Sequence, residues 1–425
     1  MQLKREIGLI GASLLVINGV IGAGIFALPA KMDNILGNAS PIAFLVFGIL
    51  LLSVVWSFSQ LAAKFQNTGG PVVYTEKAFG SAVSFQTGWI YYLARAAALA
   101  ANAHVLFKYA GFLLADATAY LNESFMVIVL CALLTFINLI GVKRAIRFLD
   151  GLTLLKLLPI VILIGFALSQ IGSANLKMSP VAISDVGAAA LLTLYAFIGF
   201  ETVLVTSGET KEAKKNVPLA LMSTVIATAI LYALVQLSYV AFVNESNSDS
   251  TPLIALADTL LGPWGAWMIA MAAVFSIAAN LLAAMISTSR LTFAMAESQA
   301  LPKWFSHLHK KYSTPDHSII TLGVIACLLS LSGGFIWLAM VSVLSRLVVY
   351  FLCTLALLKL RSEQDWPLPS AIFKKLMWFA LPYISIVVCI AAAFQSSYKA
   401  WLMLAAQVFI GFILYWLLSH RKLAN

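Results

Sequence analysis

The chain has 425 residues, 61% of them hydrophobic and only 10% charged, with a mean hydropathy of +0.94 and a formal net charge of +10. Soluble domains carry about 25% charged residues, so this composition excludes an ordinary globular enzyme or binding module and implies an all-α polytopic membrane protein. The positive balance calls for no nucleic acid, because excess Lys and Arg gather in the cytoplasmic loops of membrane proteins.

A spanning helix takes about 20 mainly apolar residues. In chain order the candidates are 7–32, 40–64, 82–112, 122–142, 149–170, 187–208, 217–243, 264–296, 318–332, 335–360, 371–393 and 398–418. The ninth is short and is joined to the tenth by the Ser332-Gly333-Gly334 turn. Both termini are short and polar, so a single transmembrane unit over 1–425 is expected, with no soluble domain. With a cytoplasmic N-terminus, 20 of the 27 basic residues fall in inside segments, 4 outside, and 3 (Arg95, Lys156, Arg346) within spans. One miscounted span would move every later loop across the membrane. Twelve transmembrane helices with both termini cytoplasmic are therefore expected. The four cysteines (Cys131, Cys327, Cys353, Cys389) lie in apolar runs without CxxC or His spacing and read as small buried hydrophobes, with no metal implied.

The first span contains NGVIGAGIFALPA at 18–30. Each glycine costs a helix roughly 0.5–1 kcal/mol relative to alanine. A signal-peptide cut after 27–30 would account for them, and Lys4-Arg5 fits such a leader. Removing the span would upset the charge alternation, however, and Pro29 sits poorly near a cleavage site. The glycines read instead as a broken transmembrane helix. The sixth span carries a second interruption, Phe197-Ile198-Gly199-Phe200-Glu201. The two hosts are five spans apart and so run in opposite directions. Paired broken segments in matching positions mark an inverted-repeat transporter, because freed backbone groups are tolerated at membrane depth only where they line a cavity or are buried in protein. A half-helix beginning at the break offers unpaired N–H donors and a partial positive charge to an anion.

Three charges lie near mid-bilayer, each about a dozen residues into its span: Arg95, Glu201 and Arg346. Such charges are costly and face the bundle interior or a partner. Glu201 either forms a structural ion pair with one arginine or, unpaired, acts as a proton carrier. A free arginine would disfavour cations and could read a second carboxylate on an acidic substrate. Arg95, Ala98 and Asn102 share one face of the third span, with His104 nearby, where close packing is the plainer reading. Lys156 lies about 13 Å along the helix from Arg147; it either snorkels to the cytoplasmic surface or holds the broken first span. His307 and His309, in a basic loop without acidic or cysteine company, read as solvated.

Several of these stretches resemble the amino acid–polyamine–organocation superfamily. GVIGAGIFALP is similar to its first-helix signature, and Thr68-Gly69-Gly70-Pro71 through Tyr74 to Phe79-Gly80 is similar to its GG-x-Y…FG segment. YAFIGFETVLVTSGETKEAKKNVPLAL resembles its F-x-G-F-E helix and the loop after it. SRLTFAMAESQALPKWF with Thr314-Pro315 resembles its S-R…A-M-A…L-P…T-P run. The resemblance covers roughly residues 5–320 in order. Arg95 and Arg346 depart from that pattern, and the last two spans carry no diagnostic motif.

The resemblance implies a LeuT-type fold, with inverted repeats at about 7–170 and 187–360 and accessory helices at 371–418. It implies a small-molecule amino acid substrate, its carboxylate on the N–H groups of Gly22, Ala23 and Gly24. The amine would face carbonyls near Asn18, Gly19 and Val20 and around Phe197 and Ile198, with Phe197 or Phe200 shaping and gating the side-chain compartment. In some sodium-independent members a span-five lysine stands where sodium sits in others, and TLLKLLP is similar to that stretch, so Lys156 and Glu201 are the coupling candidates. Arg95, Asn102 and Arg346 are candidates for selectivity or ion pairing.

The expected function is secondary transport across the cytoplasmic membrane of a bacterium, proton-coupled or by exchange, with a neutral or small amino acid favoured. An acidic amino acid or a polyamine is the alternative on the same fold; a channel or a membrane-embedded enzyme is the remote one. No GxxxxGK[ST] stretch is present for ATP hydrolysis, and no cofactor is expected.

Overall fold

The computed structural model describes residues 7–65, 69–114, 123–141, 143–172, 183–205, 207–243, 251–363, 366 and 372–423. Lys4, Arg5, Thr68 and Lys177 lie outside them, as do the side chains of Lys143, Arg144, Arg147, Lys374, Arg421 and Lys422.

The first apolar stretch forms two helices, α1 (Leu9–Val20) and α2 (Gly24–Leu36), separated by Ile21–Ala23. Next come α3 (Ser40–Lys64), the short α4 (Pro71–Phe79), α5 (Ser81–Leu113), α6 (Glu123–Leu139) and α7 (Lys143–Gln170). The sixth stretch is also split, into α8 (Ile183–Phe197) and the single turn α9 (Thr202–Val205). The rest comprises α10 (Ala213–Phe242), α11 (Pro252–Glu297), α12 (Asp316–Leu331), α13 (Phe335–Glu363), α14 (Ile372–Phe394) and α15 (Tyr398–Leu423). Helical structure stands at each of the twelve expected stretches, and both expected interruptions are real. By length and composition, seven helical segments among the described residues are long and apolar enough to cross a membrane, and five more are apolar but shorter.

Besides α4, which falls between the second and third expected stretches, one further α-helical stretch was not anticipated. Residues 252–261 form a helix leading into the eighth span, bent at Gly262 (φ 68°) just before Pro263. Proline cannot donate the missing N–H and disfavours helical geometry in the residue before it, and glycine takes up the left-handed conformation that results.

The packing pairs particular helices. α3 lies along α10, α5 along α11, α6 against α12, α2 against α8, and α1 against α9. α5 is the most enclosed of the long helices: 83% of its apolar window is buried, against 28% for α14 and 17% for α15. α5 is thus an axis of the bundle, while α14 and α15 turn mostly outward. Large apolar side chains such as Phe394, Phe409 and Phe412 are exposed there, as a lipid-facing surface requires.

Candidate functional site

The two interruptions meet. A Cβ built on Gly19 would collide with the Gly199 carbonyl oxygen, and one built on Gly199 (φ +115°) would collide with that of Gly19. Backbone touches backbone at this crossing, so only glycine fits on either side.

At the first break α1 ends with the Ile21 N–H on the Ile17 carbonyl (2.8 Å), and the Gly22 N–H turns back onto Val20 (2.9 Å). The N–H groups of Ala23 and Gly24 begin the next half-helix and find no backbone acceptor among the described residues. The carbonyls of this segment are held from three directions. Lys156 Nζ donates to Asn18 Oδ1 (2.7 Å) and to the Ile21 carbonyl (3.2 Å). Asn280 Nδ2 donates to the carbonyls of Asn18 (2.7 Å) and Gly19 (3.2 Å). The Tyr232 hydroxyl donates to that of Val20 (3.1 Å). Lys156 is buried to 4% exposure, so of the two expectations for it the structure places it against the broken span, away from the surface.

The second break closes on its own carboxylate. Glu201, fully buried, accepts at Oε2 from the Gly199 N–H (3.0 Å) and the Tyr350 hydroxyl (3.1 Å). Its Oε1 lies 3.0 Å from Arg346 Nε. That contact is an ion pair by distance, although the Nε–H is not aimed closely enough to count as a hydrogen bond. Arg346 also donates from Nη1 to Ser342 Oγ (2.6 Å). Arg346, not Arg95, is therefore the partner of Glu201. The carbonyls of Phe197 and Ile198 accept no hydrogen bond among the described residues.

A cavity of about 450 Å³ lies over this junction. Its wall includes Asn18, Gly19, Val20, Gly22, Ala23 and Gly24 from the first break and Ile198 and Gly199 from the second. Arg95, Asn102, Tyr195, Asn280 and Arg346 complete it. From the break it runs to Ile7, Gly8, Val205 and Arg290, at the end of the bundle where the basic loops gather. In the other direction Tyr195 covers it, backed edge-on by Phe335 (centroids 5.4 Å apart). A second cavity of about 290 Å³, lined by Ala27, Lys31, Val105, Lys108 and Phe335, lies beyond that layer. Gly24 and Asn102 face the first cavity, whereas Ala27 and Val105, three residues on, face the second. Along each helix the two linings are offset by three residues, about 4.5 Å of rise.

Four expectations need correction or completion. The Phe197 and Phe200 rings do not face the cavity: both are fully buried, Phe197 against Tyr232 and Phe200 against Phe58 and Tyr350. Phe197 points away from the cavity at the end of α8 and Phe200 does so within the unwound segment, while Tyr195 and Ile198 take the cavity face. The face of α5 carrying Arg95, Ala98 and Asn102 lines the cavity and does more than pack. Asn280 and Tyr195 were overlooked; Asn102 links them, donating to Asn280 Oδ1 (3.0 Å) and accepting from the Tyr195 hydroxyl (2.7 Å). The visible signal for Asn280 was an amide alone in the run SIAANLLAAM. Finally, His307 has acidic company: Asp316 lies 2.7 Å from its Nδ1, and its ring stacks on His317. His309 stacks on Tyr312. His104 bridges Glu123 and the Ser330 carbonyl.

Residues 7–418 match the amino acid permease family. Among similar curated proteins of Bacillus subtilis (strain 168) is a serine/threonine exchanger, 30% identical over 85% of this chain and 84% of its own length. A branched-chain amino acid permease is 25% identical over 99% of this chain and 95% of its own. A gamma-aminobutyric acid permease is 25% identical over 99% and 94%.

Proposed function

Since the chain belongs to the amino acid permease family, we propose that it is a secondary transporter moving an amino acid across the cytoplasmic membrane of a bacterium by alternating access. The observation that carries this reading is the crossing of two broken helices at the closed end of a cavity open to one side. The unpartnered N–H groups of Ala23 and Gly24, at the positive end of α2, are suited to a substrate carboxylate. The free carbonyls of Phe197 and Ile198 are suited to its ammonium. Among the described residues no carboxylate lines the cavity, which disfavours polyamines and other cations.

In this reading all twelve stretches cross the membrane, with both termini cytoplasmic. The helix pairs in contact (second with seventh, third with eighth, fourth with ninth, and the crossed halves of the first and sixth) are those a two-fold axis between 7–170 and 187–360 brings together, which supports the inverted repeat. The structure then corresponds to the inward-facing state. The Tyr195–Phe335 layer is the closed outer gate, and its displacement joins the two cavities.

Lys156 supports sodium independence, because its ammonium already satisfies the Asn18 and Ile21 oxygens of the unwound segment. Movement then depends on a proton or a counter-substrate. Uptake and counterflow in proteoliposomes with a panel of labelled amino acids, with and without a pH gradient and sodium, tests the proposal. Transport of at least one amino acid without sodium is expected; failure to move any amino acid overturns it.

A further inference from the structure

The charges around the cavity do not balance. Arg95, Arg290 and Arg346 contribute to its wall, and among the described residues no Asp or Glu does. Glu201, just behind the wall, answers Arg346. Glu201 also acts on Arg95 through space, but it is one charge facing two guanidiniums and is in ion-pair contact with Arg346 alone, so among the described residues Arg95, buried to 5% exposure, has no carboxylate of its own. It donates from Nε to Thr288 Oγ1 (2.7 Å), from Nη1 to the Tyr91 hydroxyl (2.8 Å) and from Nη2 to Ser287 Oγ (2.5 Å), all neutral acceptors. No ion pair to it exists among the described residues. A guanidinium has five N–H donors, so two remain on a group that itself lines the cavity.

A buried cation without a carboxylate in contact with it is costly in a membrane protein, and three well-placed hydroxyls orient it without neutralising it. A guanidinium is also the side chain whose fork matches a carboxylate. Arg290, exposed at the open end of the cavity, adds the same sign where a solute enters and draws anions inward. Along α5, Arg95 stands seven residues, about 10 Å, from Asn102 beside the break. Ala98, between them on the same wall, is small enough to leave the path clear. One molecule can thus rest a carboxylate on the Ala23–Gly24 donors and extend a second one along this wall.

Resting on the reading of the cavity as an amino acid site, we infer that the preferred substrate is an acidic amino acid whose side-chain carboxylate is received by Arg95. This inference differs from the neutral substrate favoured from the sequence.

The test uses the purified full chain, in detergent for ligand-induced Tm shifts and in proteoliposomes for uptake, with L-glutamate and L-aspartate against L-glutamine, L-serine and L-leucine. Each is measured in chloride and in gluconate. Acidic amino acids are expected to give the larger Tm shift and the lower KM in both salts. Arg95→Gln should weaken them about 30-fold or more, the scale for removing one partner of a buried charge pair, while binding of L-glutamine persists or improves. Arg95→Lys should retain part of the acidic preference. Wild type preferring neutral amino acids overturns the inference, as does unchanged affinity for glutamate in Arg95→Gln. So does transport of neutral amino acids that requires chloride, which would make Arg95 an inorganic-anion site. The wild-type panel decides even if Arg95→Gln does not fold. If neutral amino acids are carried and acidic ones are not, only this inference falls; if no amino acid is carried, the transport reading falls with it.

Discussion

The two broken helices touch, yet they are built to opposite ends. The break at Ile21–Ala23 carries no charge of its own. Its carbonyls are held by side chains arriving from α7, α10 and α11, namely Lys156, Tyr232 and Asn280, and its next N–H donors are left open to a cavity. The break at Ile198–Glu201 supplies its own carboxylate, which folds back on the Gly199 N–H and is locked by Arg346 and Tyr350. The first break keeps N–H donors available while its carbonyls are held; the second ties the Gly199 N–H into a buried network and leaves the Phe197 and Ile198 carbonyls open. An unwound segment is therefore not by itself a binding site. What matters is which of its polar groups the rest of the molecule leaves unsatisfied.

Substitutions can break this contrast, the most damaging at the crossing itself. Gly199→Ala places a methyl group into the Gly19 carbonyl at a positive φ. It should abolish folding or transport outright, read as loss of the monodisperse peak in size-exclusion chromatography or of all uptake. Glu201→Gln comes next. It keeps an acceptor for Gly199 but strands the Arg346 charge, at a cost of about 3–5 kcal/mol, seen as a large drop in Tm. The double change Glu201→Gln with Arg346→Gln should recover much of that loss, as expected of a structural pair, and leave the response of uptake to a pH gradient unchanged; loss of that response in the stable double variant would give Glu201 a proton-coupling role.

Lys156→Met sharpens the contrast from the other side. Because Lys156 holds the open break, uptake should fall by tenfold or more, about 1.4 kcal/mol, with normal expression and a smaller Tm change than Glu201→Gln; full activity would remove Lys156 from the mechanism. The smallest effect belongs to Tyr195→Phe, which loses one hydroxyl donor to Asn102. A net hydrogen bond is worth about 1 kcal/mol, so a several-fold rise in KM with unchanged stability is expected.

Much of this was legible in the sequence because membrane crossing and charge placement leave coarse signals. The helical stretches, the two glycine-marked breaks and the three mid-span charges are all features of composition along the chain. What was not legible depends on rotation about a broken helix. Periodicity assigns a face only while 3.6 residues make a turn, and at 198–201 that rule lapses. The resemblance assigned Phe197 or Phe200 to the side-chain compartment, whereas Tyr195 and Ile198 line the cavity, a difference of facing that motif matching does not carry. Which arginine answers Glu201 depends on how α13 and α5 pack around α8, and spacing carries no information on that. The His307–Asp316 contact has the same cause: a loop folds back onto the start of α12, bringing together residues that look solvated when read in line.

The most direct test of the central claim is a cryo-EM structure with a transported amino acid bound. The substrate carboxylate is predicted at the first break, with an oxygen about 3 Å from the backbone nitrogens of Ala23 and Gly24, and the rest of the molecule lying along the Arg95–Asn102 wall. Substrate density away from that break, with the Ala23 and Gly24 N–H groups unoccupied under conditions that support uptake, would contradict the account.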